Sequence, residues 1–223
     1  MQTDKMSDHG DVATTDLKDK KKTGAAPSKR RMESRRKLLA AARTLFIEKG
    51  YHGTRPQDIS KLAGVGHGTF YLHFTDKLAC FLAFANEACD ELGSFTQAHM
   101  KPNSTPMEQL REVIAGVVEY SNANPGVLSA ALTNTNVLTV EEVKTSSPME
   151  RWSKNWADLI VRWRDEGVWN EDQDDDADPL FIGHLIVGAI GQGLAYGYLY
   201  NIESNKLIDD ITRSLMRSMN GEV

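Results

Sequence analysis

The stretch Thr54–Leu78, TRPQDISKLAGVGHGTFYLHFTDKL, writes two short helices around a glycine-marked turn and then the start of a third. Thr54 and Gln57 have the spacing of a capping box, and Pro56 falls in the first turn, where its missing N–H costs little. This predicts a helix over Pro56–Ala63 that buries Ile59 and Leu62. Gly64 breaks it, Val65 plugs the turn, and a second helix is predicted over His67–His73. Phe70 and Phe74 are four apart and face a core, which leaves His67, Thr69 and Tyr71 partly exposed. Thr75 is placed to cap a further helix that begins at Asp76, an acid at the positive helix end. Short polar donors on a small helix projecting from a compact helical unit suit contact with a DNA backbone and major groove.

Upstream, Leu38, Ala42, Leu45 and Phe46 recur at helical spacing, so a helix is predicted over Ser34–Lys49 with Gly50 as its stop. Residues 1–33 are polar, contain Pro27, and cluster the cations Lys18, Lys20, Lys21, Lys22, Lys29, Arg30 and Arg31. Without apolar periodicity they read as a flexible basic arm, either touching phosphate or the minor groove or serving as a solubilising leader. Arg30 and Arg31, nearest the folded unit, are the favoured phosphate contacts. Downstream the pattern is helical throughout: from Asp76 to about Ala98, from Pro106, over Val127–Leu132, Pro148–Glu166, Pro179–Tyr200 and Ser204–Met219. Thr133–Ser147 takes no clear assignment, Glu171–Asp178 reads as a solvated acidic loop, and there is no internal repeat. The fold class is therefore all-α, divided into the arm 1–33, a three-helix unit 34–78 and a larger helical body 79–223.

The net charge of −5 hides a division. Residues 1–79 hold 16 Lys/Arg against 9 Asp/Glu, and residues 80–223 hold 10 against 22. A basic head on an acidic remainder is steered toward a polyanion. No apolar run is read as a bilayer span; Leu180–Leu199 comes closest, and His184, Gln192 and several Gly and Tyr residues interrupt it. The polar N-terminus lacks a signal core, so the expected compartment is the cytoplasm and no membrane partner is expected. Cys80 and Cys89, nine apart on one predicted helix, are too far apart for a disulfide and read as buried thiols. There is no phosphate-binding glycine loop, no HExxH, no CxxC and no EF-hand spacing, so neither an enzyme nor a metal or other cofactor is expected.

The combination Thr54, Ile59-Ser60, Ala63-Gly64-Val65, Gly68-Thr69-Phe70-Tyr71-Leu72-His73-Phe74 and Lys77-Leu78 resembles the DNA-binding domain of the TetR family of bacterial transcriptional regulators, over about Ser34–Phe84. One departure is Gly66, where that family usually has Ser or Thr as the N-cap of the recognition helix; glycine caps less well by a few tenths of a kcal/mol. The resemblance implies that Tyr71 and His73 grip phosphates, that Lys77 meets the backbone, and that the start of the second short helix reads base edges. The chemistry agrees: a phenol and an imidazole donate to phosphate, and a lysine adds charge. The competing readings are that Tyr71 packs on the first helix and that His73 only braces a helix end. Thr54 and Arg55 join the backbone candidates; Gln57, His67, Gly68 and Thr69 are the base-edge candidates, with capping as the plainer role for Gln57.

One head on one half-site binds weakly, so a homodimer on a near-palindromic double-stranded operator is expected. The last two helices are its predicted interface, through Leu180, His184, Gly188, Gly191, Leu207, Ile211 and Leu215. The resemblance further implies a small-molecule effector. Phe84, Tyr120, Trp152 and Trp156 are its candidate walls and Asn124 and Asn155 its polar anchors, with ordinary core as the plainer reading of the aromatics. The expected function is a repressor released by an apolar or aromatic effector. The alternatives are an activator, a regulator without an effector, or an all-helical enzyme or carrier.

Overall fold

A computed structural model describes residues 28–101, 103–132, 138–167 and 177–219, and among them every element is helical. The expectations for the arm before Ser28 and for most of the acidic run before Asp178 lie outside the described residues.

The first helix, α1, spans Lys29–Gly53, with the Ser28 hydroxyl accepting from the Arg31 N–H as its N-cap. It begins five residues before the predicted Ser34, so Arg30 and Arg31 stand on helix rather than on an arm. Gly50 takes φ 68°, the left-handed region that glycine enters at little cost, and bends the last turn without ending the element. The helices α2 (Pro56–Leu62) and α3 (His67–Tyr71) follow around Gly64, itself at φ 65°. Helix α3 stops two residues before the predicted His73, and Leu62 is 53% exposed rather than buried.

Helix α4 (Lys77–His99) is capped by Asp76, whose carboxylate accepts from the Ala79 N–H. The expected Thr75 cap is therefore displaced by one residue. Helix α5 (Pro106–Ala123) starts with a reciprocal Thr105–Glu108 capping box, and α6 (Val127–Leu132) follows the left-handed turn at Gly126. The stretch without assignment holds a further short helix, α7 (Val140–Ser146), begun by a Thr139–Glu142 box. Helices α8 (Pro148–Asp165), α9 (Pro179–Tyr200) and α10 (Ser204–Met219) complete the body.

Helix α1 joins the layers, packing on α2 toward the head and on α4 and α6 toward the body. Helix α10 lies on α5, and α9 is clasped most closely to α8. A Cβ on Gly183 would come within 2.2 Å of the Ser153 carbonyl oxygen, so glycine there permits the α8–α9 approach. By length and composition alone the 22-residue α9 is long and apolar enough to cross a bilayer, so His184, Gln192 and the Gly and Tyr residues do not disqualify it as expected. Gly183, Ile186, Val187, Ile190 and Gly197 form its buried face.

Gly183→Ala therefore forces α8 and α9 apart. Overpacking of this kind costs about 2 kcal/mol, and a drop of several degrees in Tm, measured by circular dichroism, is the expected result.

Candidate nucleic-acid interface

Two aromatic anchors hold α3 in place. Phe70 is 0% exposed and packs against Phe74 at 5.5 Å between ring centroids, while the Arg35 guanidinium lies over the Phe74 ring at 5.2 Å. The turn before α3 is closed by backbone bonds from the Gly64 N–H to the Lys61 carbonyl and from the Val65 N–H to the Ser60 carbonyl. Gly66 then supplies the N-cap position with an extended backbone and no side-chain bond. Its φ of −64° does not demand glycine, and a Cβ there would lie 3.8 Å from Thr69 Oγ1, so the site has room for a serine cap.

With Phe70 turned inward, His67, Gly68 and Tyr71 face water, and Thr69 is half-buried. Tyr71 is 51% exposed, with its ring edge-on to His67 at 5.2 Å. Arg55 and Gln57 are exposed at the start of α2. Lys29, Arg30, Arg31, Arg35, Arg36 and Lys37 are exposed along the first turns of α1, a cationic stretch whose length the expected helix start at Ser34 had understated. Leu72, 70% exposed at the end of α3, was not singled out from sequence, because a leucine beside two core phenylalanines carries no signal of exposure.

Three of the backbone candidates serve the head itself. Thr54 is 0% exposed and its hydroxyl is shared between the Leu45 carbonyl at 3.1 Å and the Gly50 carbonyl at 2.8 Å. It neither caps α2, whose N-cap is Arg55, nor reaches the surface, so the capping box with Gln57 and the phosphate role both fall. The physical reason is the bend at Gly50, which turns Thr54 back onto α1 so that its hydroxyl is spent on the helix's own carbonyls. Lys77 Nζ donates to the Tyr51 carbonyl at 2.9 Å and sits 4.1 Å from the centroid of the Tyr51 ring; burial lowers its pKa. It pins the end of α1 to the head of α4 instead of projecting freely. His73 Nε2 lies 2.8 Å from Ser34 Oγ, bridging the end of the α3 turn to α1. Burial, and then the neighbouring charges of Arg31 and Arg35, hold its pKa below the ordinary value of 6.5.

Among the described residues, the aromatic effector candidates are packed into the core. Phe84 packs on Phe46 and Phe81 in the core. The Tyr120 hydroxyl donates to Glu91, Asn124 caps α5 and donates to the Tyr120 carbonyl, Trp152 and Trp156 are buried, and Asn155 faces water. Close packing has consumed the aromatic walls. A half-open space of about 10 Å³, the room of one water, lies between Phe81, Ala131, Leu132, Leu138, Ser147, Pro148 and Met149.

The predicted interface on the last helices also divides. Leu207, Ile211 and Leu215 are buried within the chain, with Ile211 and Leu207 pressed against Gly193 and Gly197 of α9, so the apolar face of α10 is spent on its own protomer. Leu180 is half-buried. His184 is tied to Ser153 Oγ at 3.1 Å and to the Glu150 carboxylate at 3.0 Å. Gly188 and Gly191 are exposed, and a Cβ on either would meet open space. Around them α9 presents Phe181, Leu185, Ala195, Tyr196 and Leu199 at helical spacing, an outward apolar stripe legible in the i, i+4, i+7 recurrence.

The sequence profile of the bacterial regulatory proteins of the tetR family matches residues 38–84. The HTH-type transcriptional activator FasR of Mycolicibacterium smegmatis is 30% identical over 90 residues, 40% of this chain and 41% of its own. The HTH-type transcriptional regulator CymR of Pseudomonas putida is 36% identical over 86 residues, 37% of this chain and 42% of its own. The chain thus spans about two fifths of the length of these curated relatives. Among solved structures, a tetR family transcription regulator from Shewanella superposes with a TM-score of 0.69 at 18% identity, covering 84% of this chain and 96% of that one. The fatty acid degradation regulator FadR from Bacillus halodurans does so with 0.66 at 16%, covering 85% and 96%. At such identities the superpositions speak for the fold, which they share along nearly the whole length.

The lowered pKa of His73 has a sign that can be checked. The unfolded chain binds its proton near pH 6.5, while the folded head resists it until a lower pH. Stability from this group is complete above about 6.5 and declines as pH falls from there toward the folded pKa. An NMR titration of the His73 ring is expected to give a midpoint below 6.5, and Ser34→Ala is expected to leave the direction of the shift unchanged, because burial is its largest cause.

Proposed function

We propose, from the premise that this chain belongs to the TetR family of bacterial regulatory proteins through its residues 38–84, that it acts as a dimeric, sequence-specific DNA-binding regulator of transcription. The observation that carries this reading is the exposure of His67, Gly68 and Tyr71 on α3 beside the cationic first turns of α1, with Phe70 alone of that helix turned fully inward. The short helix enters the major groove, where His67 donates to a purine acceptor, the backbone at Gly68 approaches closely, and the Thr69 methyl meets a thymine methyl. Tyr71, Arg55, Arg30 and Arg31 hold phosphates, and Gln57 at the start of α2 serves as a further base-edge contact. His73 keeps one ring nitrogen for Ser34 and offers the other to a phosphate. In this reading the first 78 residues are the DNA-binding portion and the remainder is the regulatory and dimerising body.

Dimerisation runs through the outward stripe of α9, with Gly188 and Gly191 at the crossing and Phe181, Leu185 and Leu199 flanking it. The apolar side of α10 contributes from beneath, by holding α9 in place. A symmetric pair presents two heads to a near-palindromic operator.

Regulation is by a small apolar effector that opens the space between Phe81, Leu132, Leu138 and Met149, where α4, α6 and α8 converge, and lowers operator affinity by shifting the heads. Repression is the primary reading. Activation stands beside it because FasR, similar in sequence, is named a transcriptional activator.

A duplex selected by the protein from a random pool tests the DNA reading. The double substitution His67→Ala, Thr69→Ala is expected to lose at least about ten-fold of the preference for that duplex over a scrambled one, while Tyr71→Phe weakens binding to both alike. Undiminished discrimination contradicts the assigned contacts. On the dimer, Leu185→Glu places a charge in the stripe and is expected to give a folded monomer by light scattering, with weakened binding to the two-site duplex. A Leu185→Glu protein that remains dimeric excludes this face.

A further inference from the structure

Helix α1 belongs to both head and body, so the way it is fastened decides where α3 points. On its inner side the fastening is apolar: the Phe46 ring meets Phe81 edge-on at 5.3 Å and Phe84 at 5.7 Å. Such contacts hold surfaces together while tolerating small rotations, since dispersion has little directionality. Beside them lies a polar cluster of a different kind. Arg43 Nη1 of α1 donates to both carboxylate oxygens of Glu91 on α4, at 2.8 and 2.9 Å. The Tyr120 hydroxyl of α5 donates to the same carboxylate at 2.7 Å, and Arg43 Nη2 reaches Asn124 Oδ1 at 3.5 Å. Asn124 is itself fixed, as the C-cap of α5, by its bond to the Tyr120 carbonyl at 3.1 Å. One turn further along α1, Ile47 abuts Gly126, where a Cβ would lie 2.8 Å from Ile47 Cγ2.

We propose that Arg43, Glu91, Tyr120 and Asn124 form the joint that sets the angle of the DNA-reading head on the helical body, and so the half-site spacing that a pair of heads accepts. The inference rests on the dimeric DNA-binding reading above and adds to it the residues that position the heads. One carboxylate ties three helices through charge-assisted bonds, which are short and directional. Burial first, and Glu91 second, push the Tyr120 hydroxyl pKa up to about 12, so it remains a donor at neutral pH. The leverage is sufficient. Lys29 lies about 21 Å along the helix from Arg43, so a rotation of about 5° there moves it about 2 Å. With both heads moving, that approaches the ~3.4 Å rise of one base pair.

The test uses the full-length chain and the duplex it selects from a random pool, prepared with the centre lengthened or shortened by one base pair and also as a single half-site. Wild type is expected to lose roughly ten-fold in affinity on either altered spacing. Tyr120→Phe and Glu91→Gln are expected to bind the half-site as wild type does but to narrow the difference between spacings to about three-fold or less. Unchanged spacing discrimination in both variants overturns the proposal. A second measurement needs no DNA. Spin labels at Lys61→Cys in the head and Arg213→Cys on α10 report the head-to-body distance, with labelled chains diluted in unlabelled ones. The native Cys80 and Cys89 are buried, with thiol pKa values pushed up to about 12 and 11, so the label goes to the introduced sites. A distance distribution broadened in Glu91→Gln or, should that variant unfold, in Tyr120→Phe supports the joint, and an unchanged one overturns it. Failure of wild type to select any duplex refutes the DNA reading, and the label distances then decide the joint by themselves.

Discussion

The packing of Phe46 against Phe81 and Phe84 is where the small N-terminal unit and the larger body become one molecule. Its ring, essentially without exposure, sits on a helix whose earlier turns bury Leu38, Leu39 and Ala42. Full burial of an aromatic side chain contributes about 1.5–3 kcal/mol, and this one joins two groups of helices rather than thickening one. Helix α3 packs on α2, and α1 steadies the pair through the bend at Gly50, the Ser34–His73 bridge and the Lys77 tie to Tyr51.

Several polar side chains of the head are committed inward by that same helix. The left-handed Gly50 brings the chain back on α1, where the Thr54 hydroxyl donates to the Leu45 and Gly50 carbonyls and the Lys77 ammonium joins the Thr54 N–H on the Tyr51 carbonyl. Both are residue types that suit phosphate contact, in keeping with the backbone role that the family resemblance implies for Lys77. Cation and phenol without such obligations, at Arg30, Arg31, Arg55 and Tyr71, remain on the surface. The division between internal and external donors follows from which side chains lie against the carbonyls of α1.

Legibility along the chain follows the strength of local signals. Helices α9 and α10 match their expected spans, because Pro179 and the Asn201 turn punctuate one and strong amphipathicity marks the other. The start of α1 was missed because Lys29–Glu33 has no apolar periodicity; Ser28 is its N-cap, and that capping carries no hydrophobic signal. Helix α7 was missed for its brevity, although its Thr139–Glu142 box is a readable start. In the candidate site, His67 and Tyr71 are exposed and Thr69 half-buried, in line with their reading as partly exposed, whereas Thr54 is buried and the effector aromatics are packed in the core. Periodicity shows that a residue is buried, and it is silent on whether its neighbours leave a cavity.

The sequence by itself determined the helical class, the glycine-marked turn at Gly64, the inward pair Phe70 and Phe74, and the separation of positive from negative charge, because each depends on residues close in the chain or on composition. Tertiary structure decided which face of α9 is open, since only the placement of Leu207 and Ile211 against Gly197 and Gly193 shows that the apolar side of α10 is already used. It likewise brought Arg43, Glu91 and Tyr120 together from three helices. No local pattern encodes that meeting, because directional bonds between distant segments form only after apolar burial has set the helices side by side.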